Sequence, residues 1–245
     1  MDNDILYHLG CKIGELHRES ILFGDPDRCE LMKELVDETH LVSKQRGFIL
    51  YNGRSGKQMF TYGSLGIGGP SWVIGLHELV LAGVELFIRV GTSGIISPQV
   101  APGSIVIPTK IISDESLSQY LIGSDEELKP ANGLLKSLEQ AANTAGIEYH
   151  RGIVHSKDFL YMEDPIEYPK KNELRKRMQD LAMQGVLVTE MECAALFAFG
   201  VARNYETGAV LAAINSDYEL SKKTQETALY IALEALKHNK GDCNE

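Results

Sequence analysis

The sequence predicts an α/β fold, a single domain with a central mixed, largely parallel β-sheet flanked by helices. Three observations carry that expectation. Short apolar, β-branched runs bounded by glycine or proline, such as residues 86–90 (LFIRV) and 104–108 (SIVIP), read as buried strands. Segments such as 133–145, with Leu134, Leu135, Leu138 and Ala142 at helical spacing, read as amphipathic helices. The two kinds alternate along residues 1–245 without an internal repeat or a low-complexity linker, as in one α/β domain.

Composition narrows the function classes. Hydrophobic residues make up 44% of the chain, enough for a sizeable core. A net charge of −10 and a pI near 5.2 disfavour nucleic acid or an anionic membrane as partner, since both select a basic face. Cys11, Cys29, Cys193 and Cys243 are scattered, with no CxxC pair and no zinc spacing, which suits free thiols in a reducing compartment. The acidic start, MDNDILYHLG, lacks the basic and apolar regions of a leader, and no run reaches the roughly 18 apolar residues of a membrane span. The expectation is a cytoplasmic protein that binds neither membrane nor nucleic acid.

In chain order, His8 near the terminus carries no message alone. Residues 20–23 form a strand, Gly24-Asp25-Pro26 a tight turn, and a helix follows from Asp27 with Leu31, Leu35 and Val36 on one face. Strand, glycine turn and helix N-terminus suit an anion, with Arg28 in the first turn, although an ordinary β-turn-α with a surface arginine has the same pattern. Residues 41–62 read as a hairpin turning near Asn52-Gly53 or Ser55-Gly56, preceded by Arg46 as a surface charge. A glycine-rich loop then leads into a helix ending near Gly83. Gly66, Gly68 and Gly69 lack dinucleotide-fingerprint spacing, and His77-Glu78 lacks a second histidine four residues on, where Leu81 stands.

After the strand 86–90, Gly91-Thr92-Ser93-Gly94 reads as a turn. Arg89 is a charge inside a buried strand, costly unless paired or facing a ligand. The open backbone and hydroxyls beside it suit phosphate, and a core arginine paired with a carboxylate fits equally. Residues 113–132 read as an irregular surface loop or lid, 133–145 as a helix and 149–154 as a strand. Residues 155–169 mix aromatics and acids without periodicity, as a substrate-covering loop or a plain connection would. A charged helix (170–184) precedes a strand (186–188) that ends in Glu190, Met191 and Glu192, and a small-residue helix covers 194–201. The last strand (209–214) ends in Asn215-Ser216-Asp217, a helix covers 223–236, and the tail from His238 is expected to fray. Gly24, Arg28, Arg89, Thr92, Glu192 and Asp217 all fall at or just after strand ends, where α/β sheets hold ligands.

GDPDR (24–28), GIGGPS (66–71), IRVGTSG (88–94) and EMECAALF (190–197), in this order and spacing, resemble the hexameric nucleoside phosphorylases, the family of uridine phosphorylases and trimer-of-dimers purine nucleoside phosphorylases. The resemblance covers nearly the whole chain, and YHLG at 7–10 looks especially like the uridine enzymes. It implies that Gly24, Arg28, Arg89 and Thr92 hold phosphate, joined by Arg46 of a neighbouring subunit. His8 would cross the same interface to the ribose 5′-hydroxyl, and Met191 and Glu192 would hold the ribose. Ser93, Gly94, Phe159 and Ser216 would line the base. It further implies a homo-oligomer, a hexamer, with each active site shared between chains. Nucleoside and inorganic phosphate are the implied partners, with phosphate a co-substrate and no metal or other cofactor.

The residue types suit phosphorolysis, in which the sugar gains oxocarbenium character. Arginines orient a phosphate dianion beneath the anomeric carbon, and Glu192 offsets the developing positive charge. For the base, the resemblance divides. Uridine phosphorylases read the uracil amide edge with a glutamine and an arginine in a loop that here is DFLYMEDPIEYP (158–169), with neither; Glu163 stands near the expected glutamine. Asn215-Ser216-Asp217 matches instead the Ser-Asp of the purine enzymes, making Asp217 the expected general acid, its pKa raised beside a dianion; a helix N-cap is the other reading. Those enzymes' assisting arginine has no counterpart beyond Lys222 and Lys223, and Phe159-Leu160 reverses their Leu-Phe order. The expectation is a purine nucleoside phosphorylase, giving free base and (deoxy)ribose 1-phosphate. The alternatives are a uridine phosphorylase, a hydrolytic nucleosidase and a non-catalytic nucleoside-binding relative.

Overall fold

Along β1 (Glu19–Phe23), Ile21 and Phe23 join one apolar cluster and Leu22 another, the period-two alternation of a strand covered on both faces. The computed structural model describes residues 4–123, 126–164 and 167–238. After α1 (Arg28–Lys33), β2 (Glu38–Gln45), β3 (Phe48–Ser55) and β4 (Gln58–Ser64) form an antiparallel meander. The expected hairpin is thus three strands. Its turns lie at Gly56-Lys57 and at Arg46-Gly47, where both residues have positive φ (53° and 89°). Asn52-Gly53 lies inside β3, because a Cβ at Gly53 would stand 3.0 Å from the Tyr62 ring across the ladder; close approach, not turning, requires that glycine.

The chain continues through α2 (Gly69–Leu81), β5 (Leu86–Ile95), β6 (Ile105–Asp114), α3 (Leu117–Leu121), α4 (Asn132–Thr144) and β7 (Tyr149–Lys157). A 3₁₀ turn (Leu160–Met162), α5 (Lys171–Met183), β8 (Val186–Glu190), α6 (Cys193–Arg203), β9 (Glu206–Ala213) and α7 (Tyr218–His238) complete it. The strand order is β2-β3-β4-β1-β5-β8-β7-β6-β9, and β9 returns to pair with β5, so the last five strands close into a ring. Pairing is parallel from β4 through β1 and β5 to β9 and from β6 through β7 to β8, and antiparallel in the meander and at β5–β8 and β6–β9. Helices flank the mixed sheet, as the sequence predicts. Trp72, Leu76, Phe197 and Phe199 of α2 and α6 pack with Phe87 and Leu211, while Leu134, Leu138, Ile231 and Ala232 of α4 and α7 pack with Ile88 and Val210.

Three expectations are revised. Gly91-Thr92-Ser93-Gly94 is not a turn: β5 stays paired with β9 through Ser93↔Ala213. Its polar composition hides a strand whose residues here face a cavity rather than the core. Residues read as irregular from 113 include the end of β6 and the short α3. Finally, α7 begins at Tyr218 rather than 223, because the Asp217 side chain accepts the Leu220 N–H (3.0 Å) and starts the helix earlier. The tail beyond 238, with Cys243, lies outside the described residues. Among the described residues, no helix is long and apolar enough to cross a membrane.

A polar cluster built on one buried histidine ties the end of β6 to β7 and α5. Asp114 accepts bonds from Arg177 Nε (2.7 Å) and Nη2 (2.8 Å) and lies 3.0 Å from Nε2 of the fully buried His155. Burial works against this carboxylate, but His155 and Arg177 hold it well below its ordinary 3.8. A depressed carboxyl pKa gives stability that is complete above the unfolded value and lost as pH falls through the folded one. Asp114→Ala is therefore expected to destabilise the fold by about 2 kcal/mol at neutral pH. The check is the urea midpoint at pH 7 and again below pH 4, where the difference from wild type should shrink.

Candidate active site

Arg89 is the last residue of β5 paired with β1 (Leu22↔Arg89), and Gly94 is the first paired with β8 (Gly94↔Thr189). Among the described residues, the stretch between them pairs with β9 alone. Such a change of neighbour is where open sheets accept ligands. A cavity of about 830 Å³ forms there, lined by Thr92, Ser93 and Gly94 of β5 together with Gly24, Arg28, Arg89, Met191 and Glu192. Eight residues named from the sequence thus meet at one place.

At one end stand two arginines with opposite surroundings. Arg89 donates from Nε to Glu190 Oε2 (3.0 Å), and its Nη2 lies 2.5 Å from Glu192 Oε2. Its guanidinium also lies 5.0 Å from the Trp72 ring centre and folds over Gly91, where a Cβ would stand 2.6 Å from Nη2. Burial opposes the Arg89 charge, but Glu192 and Glu190 hold its pKa above the ordinary 12.5. Arg28 is equally buried, yet its partners are neutral: Gln225 Oε1 (2.6 Å), the Val90 carbonyl (3.1 Å) and the Thr92 hydroxyl (3.2 Å). Burial, and then the like charge of Arg89, lowers Arg28 from 12.5 to about 10. A buried cation facing a cavity with neutral partners suits an incoming anion.

The two acids at the end of β8 and just beyond it divide their work. Glu190 accepts the N–H groups of Glu192 (2.8 Å) and Cys193 (2.9 Å) at the start of α6, and the Ser156 hydroxyl as well, so it holds a helix end. Glu192 lines the cavity and accepts the Gly68 N–H at 2.6 Å, fixing the glycine-rich loop over the site. Burial pushes the Glu192 carboxyl above its ordinary 4.5, against the pull of Arg89.

The far end is built by residues that sequence reasoning missed or only brushed. Lys157, at the end of β7 and 1% exposed, forms an ion pair with Glu163 just beyond the 3₁₀ turn. The Glu163 carboxylate lies against Gly94, where a Cβ would stand 2.2 Å from Oε2. Leu160, Met191 and Ile214 add apolar wall, and Asn215 closes the rim. A lysine in an aperiodic polar segment reads as surface, so no sequence signal singles it out.

Other expected residues lie elsewhere. Phe159 packs edge-on against Tyr168 (4.8 Å between centroids), and its neighbour Leu160 lines the cavity instead. Ser216 is not among the lining residues. Asp217, expected as a general acid beside the phosphate, is exposed and caps the first turn of α7, on a separate groove with Lys222 and Lys223. The physical reason is local: three residues from Asp217 to Leu220 is the spacing at which a carboxylate satisfies a free helix N–H. His8 and Arg46 also lie off this cavity, both in contact with Tyr7. His8 Nδ1 is 2.7 Å from Glu78, and Arg46 donates to the Tyr7 hydroxyl (2.7 Å) while lying over its ring.

The chain matches the family model of the phosphorylase superfamily over residues 20–238. It is 33% identical over 242 residues to the uridine phosphorylase of Treponema pallidum (strain Nichols), covering 96% of this chain and 94% of that protein. It is 30% identical to the guanosine phosphorylase of Halorubrum lacusprofundi, covering 94% and 97%. Its fold is similar to the crystal structure of uridine phosphorylase from Vibrio fischeri ES114, with a TM-score of 0.88 at 26% identity, over 97% of this chain and 99% of that one.

Proposed function

This chain belongs to the phosphorylase superfamily and is a nucleoside phosphorylase, a pentosyltransferase; from that premise we propose that its nucleoside is uridine, cleaved by phosphate to uracil and ribose 1-phosphate. The observation that carries the phosphate half is Arg28, a buried cation with only neutral hydrogen-bond partners at the cavity wall. Phosphate between Arg28, Arg89 and the Thr92 hydroxyl lies under the sugar with its charge balanced. Glu192 accepts from ribose hydroxyls. As the glycosidic C–N bond breaks, its electron pair leaves with the base and an oxygen of the monohydrogen phosphate bonds to the anomeric carbon, and the proton that phosphate carried ends on the departing base to give uracil. The dianion and Glu192 stabilise the cationic sugar between those two events.

Two observations favour uracil over the purine reading: the names of the similar proteins, and cavity walls that do not include Asp217. A second reading, a 6-oxopurine nucleoside, is favoured by the guanosine phosphorylase at 30% identity. His8 and Arg46, on either side of Tyr7 and off their own chain's cavity, are proposed to reach the ribose and phosphate of a second copy, so that a hexamer of paired chains holds the complete sites. Inorganic phosphate is the proposed co-substrate.

The test is turnover of uridine, inosine, guanosine and adenosine, each with and without phosphate. Phosphate-dependent uridine cleavage is expected, and Asp217→Asn should stay within about threefold of wild type, as befits an exposed cap. Preference for inosine, lost in Asp217→Asn, would restore the purine reading. Cleavage indifferent to phosphate would remove the role given to the arginines.

A further inference from the structure

We infer that Lys157 and Glu163 form a charged pair that reads the amide edge of the base, an adjoining carbonyl and N–H, and thereby sorts nucleobases by tautomer. This rests on the phosphorylase reading and deepens it. Three observations place the pair. Arg28 meets β5 at Val90 and Thr92, whereas Glu163 meets it at Gly94, two residues or about 7 Å further along. Phosphate and base ends are therefore separated along one strand by the width of a sugar, with Met191 and Glu192 on the wall between. Gly94 lacks the Cβ that would occupy the position of the Glu163 carboxylate. Finally, Lys157 is almost wholly buried, and among the described residues Glu163 is its one ion-pair partner.

A buried ammonium beside a carboxylate offers a donor next to an acceptor. Uracil presents the complement, with a carbonyl to accept from Lys157 and N3–H to donate to Glu163. Hypoxanthine and guanine present the same order at O6 and N1–H. Cytosine and adenine reverse it: an amino group would face the ammonium, and a ring-nitrogen lone pair the carboxylate. An amino group set against the Lys157 ammonium, which is 1% exposed, and a lone pair set against the Glu163 carboxylate, which is 36% exposed, penalise those bases, the first contact more than the second. The pair is net neutral, so it reads an uncharged edge without competing for the phosphate at the arginine end.

The experiment compares wild type, Lys157→Met, Glu163→Ala and Glu163→Gln for kcat/KM on uridine and cytidine, and for KM of phosphate. N3-methyluridine on wild type serves as a probe that needs no variant to fold. Loss of the N3–H should lower wild-type kcat/KM at least about 10- to 100-fold, and Lys157→Met and Glu163→Ala should lower it similarly on uridine. The phosphate KM should stay within about twofold, because the pair does not touch that end. Glu163→Gln, which keeps an acceptor oxygen, should recover part of the loss, as a purely structural ion pair would not require. Equal use of uridine and N3-methyluridine, or an unchanged uridine-to-cytidine ratio in the variants, would overturn the inference while leaving the phosphorylase reading intact. If instead wild type cleaves no nucleoside with phosphate, that reading fails by itself. Calorimetric titration with uracil and hypoxanthine against cytosine and adenine then still decides: selective binding lost in Lys157→Met supports the pair, and unselective binding rejects it.

Discussion

Replacing Arg28 by methionine is expected to lower kcat/KM for phosphate about 10²–10³-fold while leaving the unliganded fold close to its original stability. The two halves of that result have one cause. Lowering this guanidinium from 12.5 to about 10 corresponds to roughly 3 kcal/mol of burial cost at neutral pH. The cost is present while the side chain is charged and is relieved only as pH rises through about 10 toward 12.5. Methionine removes it and also removes the bonds to Gln225, Val90 and Thr92, so the terms largely offset. Phosphate saturation should raise the melting temperature of wild type, by about 2.7 kcal/mol of added stability at a hundredfold excess over Kd, and leave Arg28→Met nearly unmoved. A variant whose phosphate KM equals that of wild type would remove Arg28 from the anion site.

Glu192→Gln should cost on the order of 10²–10³-fold in kcat/KM for the nucleoside, because it removes the negative charge proposed to face the cationic sugar. The amide retains an oxygen for the Gly68 N–H, and Arg89 retains Glu190, so the loop and the buried arginine keep their partners. The pH profile separates this effect from misfolding. Burial raises the Glu192 carboxyl above 4.5, and the active form is the carboxylate. Wild-type kcat/KM should therefore fall on acidification at a pH above 4.5, and that limb should vanish in Glu192→Gln. An acid limb unchanged in the variant would assign it to another group.

How far these features are legible in the sequence depends on what each residue faces. Arg89, Thr92 and Glu192 are legible because each puts charge or hydroxyl at or just past an apolar run, and Arg28 because it opens the helix that follows a strand and a glycine turn. The register of 91–94 is not, since Gly-Thr-Ser-Gly has the composition of a turn and only the cavity explains polar residues in a strand. Asn52-Gly53 misleads in the opposite sense, with turn chemistry spent on room for Tyr62. The two ends of the site differ likewise. The arginine end and the Met191-Glu192 wall lie on strands and helix starts with compact motifs, whereas the far end is assembled from Lys157, Leu160 and Glu163, which the sequence presents as an aperiodic segment. Asp217 carries two readings in the sequence, acid and helix cap, and the structure shows the cap, its side chain accepting the Leu220 N–H. The helical layers were the most readable part, their apolar spacing being dictated by the sheet they cover.

The stacking of Arg89 on Trp72 has a practical side. The chain contains a single tryptophan, and its indole is buried against the Arg89 guanidinium. Indole emission, excited at wavelengths the ten tyrosines do not absorb, therefore comes from one chromophore beside the Arg89 charge, and a shift in it on adding phosphate is the expected optical sign of an anion binding there.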